Sequence, residues 1–433
     1  MGLPPLGCCG ERHSEVLNRF NRNTKPESWY GRDRLDLLKE AAEIEPEIIK
    51  VRREIHQKPE LAYHEEVTSK LVAERLEALG IQVKRGVGGT GVLGVLKGPR
   101  PGRVVALRAD MDALPLDEMA DVEFKSKVKG VMHACGHDTH VAMLLGAAKL
   151  LVKHKDELQG TVKFLFQPAE EHGGRGGAKP MIEDGVMKDP KVDYVFGLHI
   201  AGDHNSGVLG FRPGPFAASP DTFEVRIIGK GGHGAAPHET IDPVYVAAQV
   251  IIALQGVSGR MIDPMQPIVI SVGAVHSGTK ENIIPDEAVL QGTIRTLDEV
   301  TRKRAKAKVE GVVKGVCKAF GAKAIVESEK DAYPVTVNDE KVTERAMKIV
   351  RKIRGGTKVK LIEPMLGGED FSRFLHEAPG TFYFLGTRNP AKGCIYPNHS
   401  SRFKVDEDVL KYGAASLALL AVEFTDPTGP SKD

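Results

Sequence analysis

Residues 161–174 read Thr-Val-Lys-Phe-Leu-Phe-Gln-Pro-Ala-Glu-Glu-His-Gly-Gly. Thr161 to Phe166 is a compact, mostly apolar run of β-favouring residues, the pattern of a strand covered on both faces. It leads into two adjacent carboxylates, Glu170 and Glu171, ahead of a glycine pair. Outward from it, short apolar strands alternate with longer periodic helices. Leu37 to His56 is a charged amphipathic helix, and Val67 to Leu79 has helical spacing and stops at Gly80. Ile81-Gln-Val83, Val92 to Leu96 and Val104 to Leu107 are β-rich, Val141 to Leu151 is helical, and Tyr194 to Leu198 is a second buried strand. This alternation predicts an α/β fold, a sheet layered by helices.

The middle of the chain follows another order. Asp221 to Ile228 alternates as a strand, a Gly-rich turn follows, and Asp242 to Val257 is helical. Two β-rich runs, Ile268 to Val275 and Glu287 to Leu297, precede a charged helix, Asp298 to Phe320, and a strand near Lys323 to Glu327. That is β-α-β-β-α-β, the ferredoxin-like order. It predicts an α+β unit, residues 217–329, inserted between catalytic-domain parts 41–216 and 330–433. Helix Val342 to Lys352, strand Phe382 to Leu385 and helix Val409 to Phe424 return to the first unit. Residues 1–40 lack periodicity and read as an extension. Gly2 with Cys8 and Cys9 sits near an acylation pattern, but Leu6 stands where that pattern wants Ser or Thr, so no lipid is expected.

Composition narrows the function classes. Sixty Lys+Arg against fifty-eight Asp+Glu leave +2 over 433 residues, so no strong field points to nucleic acid or an anionic membrane. The longest uncharged run, Pro243 to Gly259, stops short of the eighteen apolar residues of a membrane helix. Five scattered cysteines are no disulfide framework and fit a reducing, cytoplasmic location. No P-loop is present, and GVGGTG at 86–91 lacks the spacing of a dinucleotide fingerprint.

The densest polar constellation is His133-Ala-Cys135-Gly-His137-Asp138-Thr-His140. Thiolate and imidazole are preferred ligands for zinc and for the borderline ions of its row. Gly136 lets the chain turn so that its neighbours converge. Alone, the cluster reads equally as a polar loop opening a helix with Asp138 as cap. Other strand ends repeat the chemistry. Glu170 and Glu171 follow one strand, where one carboxylate can ligate metal while the other acts as base. His199 stands at the carboxyl end of another, Asp110 and Asp112 follow a third, and His399 lies in a loop before the last helix. A carboxylate beside a metal-bound imidazole fixes the ring, a role open to either aspartate. Chance clusters do not repeat at successive strand ends, so the pattern points to a metal site.

The motifs RADMDALP (108–115), HACGHDTH (133–140), FLFQPAEE (164–171), FGLH (196–199), GKGGHGAAPH (229–238), ENIIPDEA (281–288), GTIRTLD (292–298), GGEDF (367–371) and NHSSRF (398–403) resemble the co-catalytic metallopeptidase and aminoacylase superfamily. They are most similar to its amidohydrolase branch: hippurate hydrolases, auxin-conjugate hydrolases, N-acyl-amino-acid deacetylases and some thermostable carboxypeptidases. The match runs from about residue 45 to 425. It implies a zinc-peptidase-like catalytic domain with a mixed sheet between helices, and a ferredoxin-like lid that dimerises. It implies two divalent ions, zinc or manganese with cobalt as a further choice, held by Cys135, His137, Glu171, His199 and His399. Five ligands for two ions suggest a bridging Cys135 thiolate. The resemblance makes Glu170 the base and Asp112 the orienting carboxylate, and where other branches have a metal-binding His this chain has Asp110. His233 would reach a partner's site to stabilise the oxyanion; Asn282, Arg295 and Gly368 would touch substrate. Glu369 and Asp370 are expected to support the site, and Ala217, Ala218 and Phe371 to line an apolar acyl pocket.

These expectations describe a hydrolase of N-acyl amino acids or C-terminal peptide bonds, a homodimer or dimer-based tetramer. Coordination acidifies a water, Glu170 takes its proton, and the departing amine receives it. Two rival readings are a non-catalytic metal-binding or interaction module that retains the fold, and a thiol enzyme using Cys135. The second predicts activity that survives chelation.

Overall fold

The protein is described by a computed structural model covering residues 36–428. Most of the expected extension, with Gly2, Cys8 and Cys9, lies outside the described residues. Its boundary at 40 moves back, because Leu37–Glu43 is already helical. The long helix expected from Leu37 to His56 is two, the second spanning Glu45–His56. Pro46 stands in its first turn, where a missing N–H costs nothing, but its ring blocks continuation of the helix before it.

The strands are β1 (Gln82–Val87), β2 (Gly91–Lys97), β3 (Arg100–Asp110), β4 (Gln159–Gln167), β5 (Tyr194–Asn205), β6 (Leu209–Phe211), β7 (Gly214–Ala217), β8 (Ser219–Ile228), β9 (Gly232–His233), β10 (Ile268–Ser277), β11 (Ile283–Ile284), β12 (Glu287–Thr296), β13 (Lys323–Ser328), β14 (Thr336–Asn338), β15 (Val359–Leu361) and β16 (Gly380–Arg388). Eight of them form one mixed sheet, β1-β2-β4-β3-β5-β16-β6-β15. Its centre, from β4 through β3 and β5 to β16, is parallel. Both faces are covered. In β5, Phe196 meets Phe424 of helix Leu410–Thr425 (ring centroids 4.8 Å), while its neighbour Val195 joins Phe371, Phe374 and Phe382 in the core of the opposite face. This double cover explains why β4 reads as a continuous apolar run.

The inserted unit is a four-stranded antiparallel sheet of order β10-β12-β8-β13, with the first and third of its strands at the centre. Helices Pro243–Gly256 and Glu299–Ala319 share its own core with Val225, Ile227 and Leu290. Burial along β8 alternates residue by residue, as a one-sided sheet requires. Asp242 caps the first helix, accepting the Val244 N–H at 2.9 Å, and Asp298 caps the second through Thr301. The helical stretch Pro243–Met261 is long and apolar enough to cross a membrane, contrary to the expectation from the uncharged run. Val246, Val250 and Leu254 on it are buried in the core of the inserted unit. β7 and β14 pair where the chain enters and leaves the unit.

Candidate active site

The parallel order sets the carboxyl ends of β3 and β4 beside the middle of β5. Asp110 closes β3, Glu170 and Glu171 follow β4, and the β3–β5 pairing ends at Arg108–Gly197, two residues short of His199. His199 therefore projects where a neighbouring strand has stopped, although β5 itself continues to Asn205 and does not end there as expected. Gly136 opens helix His137–Lys153 at φ 85°. A Cβ there would lie 2.2 Å from Ile200 Cδ1, so only glycine lets the turn pack against β5. His399 itself adopts φ 68°.

The five expected ligands meet. Cys135 Sγ lies 3.3 Å from His199 Nε2 and 3.3 Å from His399 Nε2. His399 Nε2 lies 3.1 Å from Glu171 Oε1. Cys135, His137 and Glu171 present ligand atoms within 4.8 Å of one another. Asp112 faces His137 Nδ1 with its carbonyl at 2.9 Å and Oδ1 at 3.2 Å, and its Oδ2 accepts the Glu171 N–H at 2.8 Å. One carboxylate thus orients two of the five. His199 Nδ1 contacts the Ile200 carbonyl at 2.6 Å, leaving Nε2 facing the thiol.

What remains unsatisfied shows what fits here. His137 Nε2 is buried without a hydrogen-bond partner, a cost of about 1–3 kcal/mol, and Glu171 Oε1 has only the His399 ring beside it, at 3.1 Å. Burial, together with Glu171, Glu170 and Asp110, keeps the Cys135 thiol protonated well above its ordinary range. A divalent cation would reverse each of these: it accepts the orphan lone pair and favours the thiolate. The donor set, one sulfur with imidazoles and carboxylate, suits zinc and its neighbours.

Beneath the site Arg108, 1% exposed, ties four groups together. Its guanidinium donates to Gln167 Oε1 (2.8 Å), Asp110, Glu369 Oε1 (2.9 Å) and Asp370 Oδ1 (2.9 Å). Burial pushes the Glu369 carboxyl up to about 8 despite Arg108. Burial, then Glu369, Glu171 and Asp370, also hold Glu170 well above the usual carboxylate range. Glu369 and Asp370 therefore sit under Glu170, where the sequence placed them as supports. The motif at 108–115 begins with Arg108 but assigns it no role; an arginine in an otherwise apolar strand is the signal the sequence offers.

Other expectations change. Asp138 does not cap the helix: its carboxylate faces Arg52 Nε at 2.7 Å and His56 Nδ1 at 2.8 Å. His140 joins Asp110, His137 and His199 in one group. Both its nitrogens are used: Nε2 accepts the Ile200 N–H at 2.9 Å, which puts its proton on Nδ1, facing Asp110. Ala217, Ala218 and Phe371 are buried core residues rather than a pocket lining. Among the described residues, His233, Asn282, Arg295 and Gly368 make no hydrogen bond to the cluster. His233 and Asn282 sit exposed at the β9–β11 ribbon, where Asn282 O accepts the Gly234 N–H at 2.9 Å. Arg295 is on β12, half-buried. Gly368 passes Pro220 so closely that a Cβ would lie 2.5 Å from its ring.

A mixed α/β sheet with paired carboxylates, imidazoles and a thiol gathered at its strand ends defines the class: the protein is a hydrolase of amide bonds. It belongs to the Peptidase family M20/M25/M40, whose profile matches residues 106–423. The chain is 59% identical over 391 residues to thermostable carboxypeptidase 2 of Saccharolobus solfataricus, covering 90% of this chain and 98% of that one. It is 38% identical over 391 residues to the hippurate hydrolase of Campylobacter jejuni, covering 90% and 100%. The crystal structure of a dinuclear metal binding peptidase of the M20 family from Bacillus subtilis is similar at 35% identity and TM-score 0.77, over 89% of this chain and 99% of that one.

Proposed function

We propose that the protein uses two divalent ions, zinc or manganese with cobalt as a further choice, to hydrolyse N-acyl amino acids or C-terminal peptide bonds. The observation that carries this is the convergence of the Cys135, His137 and Glu171 ligand atoms within 4.8 Å of one another, with His137 Nε2 buried and without a hydrogen-bond partner. Cys135, His137, Glu171, His199 and His399 would hold the ions. Bound there, the ions supply Lewis acidity, drawing a water's pKa towards about 7 and polarising the scissile carbonyl. Glu170 receives the proton of the attacking water and gives it to the nitrogen that departs, because an amine leaves where an amide anion does not. Its raised proton affinity suits both halves of that transfer. Asp112 holds His137 and Glu171 in place.

Residues 217–329 would act as a lid between catalytic parts 41–216 and 330–433, and as the surface of a homodimer or dimer-based tetramer. β10 is a sheet edge, and Val275 on it is exposed. His233 Nδ1 accepts the Ala235 N–H at 3.0 Å, which places the neutral ring's proton on Nε2. That is the tautomer a donor to a partner's oxyanion needs. Asn282, Arg295 and Gly368 are the proposed substrate contacts, and a cytoplasmic location agrees with the scattered free cysteines.

The test is a screen of acetyl-, benzoyl-, benzyloxycarbonyl- and indoleacetyl-amino acids with zinc, manganese or cobalt added, with Glu170→Gln alongside. Amide hydrolysis abolished by chelation and by the variant supports the reading. Activity that survives chelation and dies with thiol alkylation would replace it with the thiol-enzyme reading.

A further inference from the structure

The backbone around Glu170 is held by buried side chains from distant parts of the chain. Ala169, left-handed at φ 53°, gives its N–H to Glu65 Oε1 at 2.8 Å. Asp112 takes the N–H of Glu171. Between them, the Glu170 carbonyl accepts from Tyr333 Oη at 2.6 Å. Tyr333 is 4% exposed. Its hydroxyl reaches the loop through space that Gly176 leaves, since a Cβ there would lie 2.8 Å from Oη.

Tyr333 belongs to the stretch between β13 and β14, the chain that leaves the lid. Its neighbours are tied in both directions. Arg302 of helix Glu299–Ala319 donates to the Ala332 carbonyl at 3.1 Å, and Glu299 Oε1 accepts the Val335 N–H at 2.9 Å. On the other side Lys179 pairs with Asp331 at 2.6 Å, and Arg373 donates to the Asp331 carbonyl. The hydroxyl on Glu170 is thus mounted on a strap anchored to both units.

We propose that Tyr333 is a positioning residue: its hydroxyl fixes the peptide that carries Glu170, so the carboxylate keeps its aim when the lid moves. The inference rests on Glu170 as the proton acceptor. The loop is short and one of its residues is left-handed, so losing one hold lets the Glu170 peptide turn. Misplacement of about 1 Å costs on the order of 10² in rate.

The experiment uses the metal-loaded full chain and an N-acetyl or N-benzoyl amino acid that it hydrolyses. Tyr333→Phe keeps the ring near the Arg373 guanidinium and removes only the hydroxyl. Its kcat should fall by about 10- to 100-fold with KM within about threefold of wild type and metal content unchanged. 4-Aminophenylalanine at 333 keeps a donor on the same ring and should restore most of kcat. In a Glu170→Gln background, Tyr333→Phe should add no further loss. A Tyr333→Phe kcat within threefold of wild type, a loss the amino analogue does not restore, or an additive loss would overturn the inference. An active Glu170→Gln enzyme would instead overturn the choice of base, whatever Tyr333 does.

Discussion

Replacing Gly136 with alanine tests how the metal-site turn is built, because the cost separates into two parts. The residue lies at φ 85°, where an L side chain is strained by about 1–2 kcal/mol. Its new Cβ would stand 2.2 Å from Ile200 Cδ1 and 2.8 Å from Cγ1. Those atoms belong to a residue 1% exposed, so yielding means repacking, typically about 1–3 kcal/mol. The sum is about 2–5 kcal/mol. Any relief moves either the Cys135–His137 backbone or Ile200 next to His199, so metal retention should fall as well. Gly185→Ala is the control: its φ is 87° and nothing lies within 4 Å of the added Cβ, leaving only the strain of about 1–2 kcal/mol. Urea unfolding in chelator measures the first quantity, and metal content after dialysis the second. If the two variants lose equal stability, or Gly136→Ala retains wild-type metal, the packing argument is refuted.

Glu170→Gln should fold and bind metal yet lose about 10³-fold or more in turnover, since an amide cannot accept the proton; near wild-type turnover would remove Glu170 as base. Cys135→Ser should lower metal content after dialysis with little change in chelated stability, because a hydroxyl replaces a thiolate. Burial would raise the Asp221 carboxyl, but Arg302 and Lys306 bond it and hold it below its ordinary value. Its contribution is therefore complete above about pH 4 and is lost as pH falls below that. Asp221→Asn should cost about 2–4 kcal/mol at neutral pH and flatten the acid limb of a stability–pH curve; an unchanged limb would contradict the pairing. Inactive His233→Ala and Glu170→Gln homodimers, mixed and allowed to exchange, should regain activity towards half of wild type if His233 serves the partner's site. A mixture that exchanges by mass and stays inactive would confine His233 to its own chain.

The sequence by itself determined the regular elements and the ingredients of the site. Strand Thr161–Phe166 and its carboxylate pair, the helix that stops before Gly80 and the six-element order of the inserted unit are all present as described. Each is written in residues a few positions apart, where periodicity and turn chemistry act. Strands of two to four residues, such as β7, β9, β11 and β14, had no such signal, for they exist only by pairing with partners far along the chain. The tertiary structure also decided which polar groups are free. His140 stands three residues from His137 in one motif, yet the Ile200 amide and Asp110 consume both its nitrogens, while His137 keeps Nε2 unpartnered. His133, in the same motif, also has both ring nitrogens buried without a hydrogen-bond partner, but it lies beside His56, 6.3 Å between ring centroids, and outside the ligand group. Arg108 meets Glu369 and Asp370 across more than 260 residues, and Tyr333 meets Glu170 across 163. A hydrogen bond is chosen by distance in space and by what burial leaves unsatisfied, and neither is encoded in spacing along the chain.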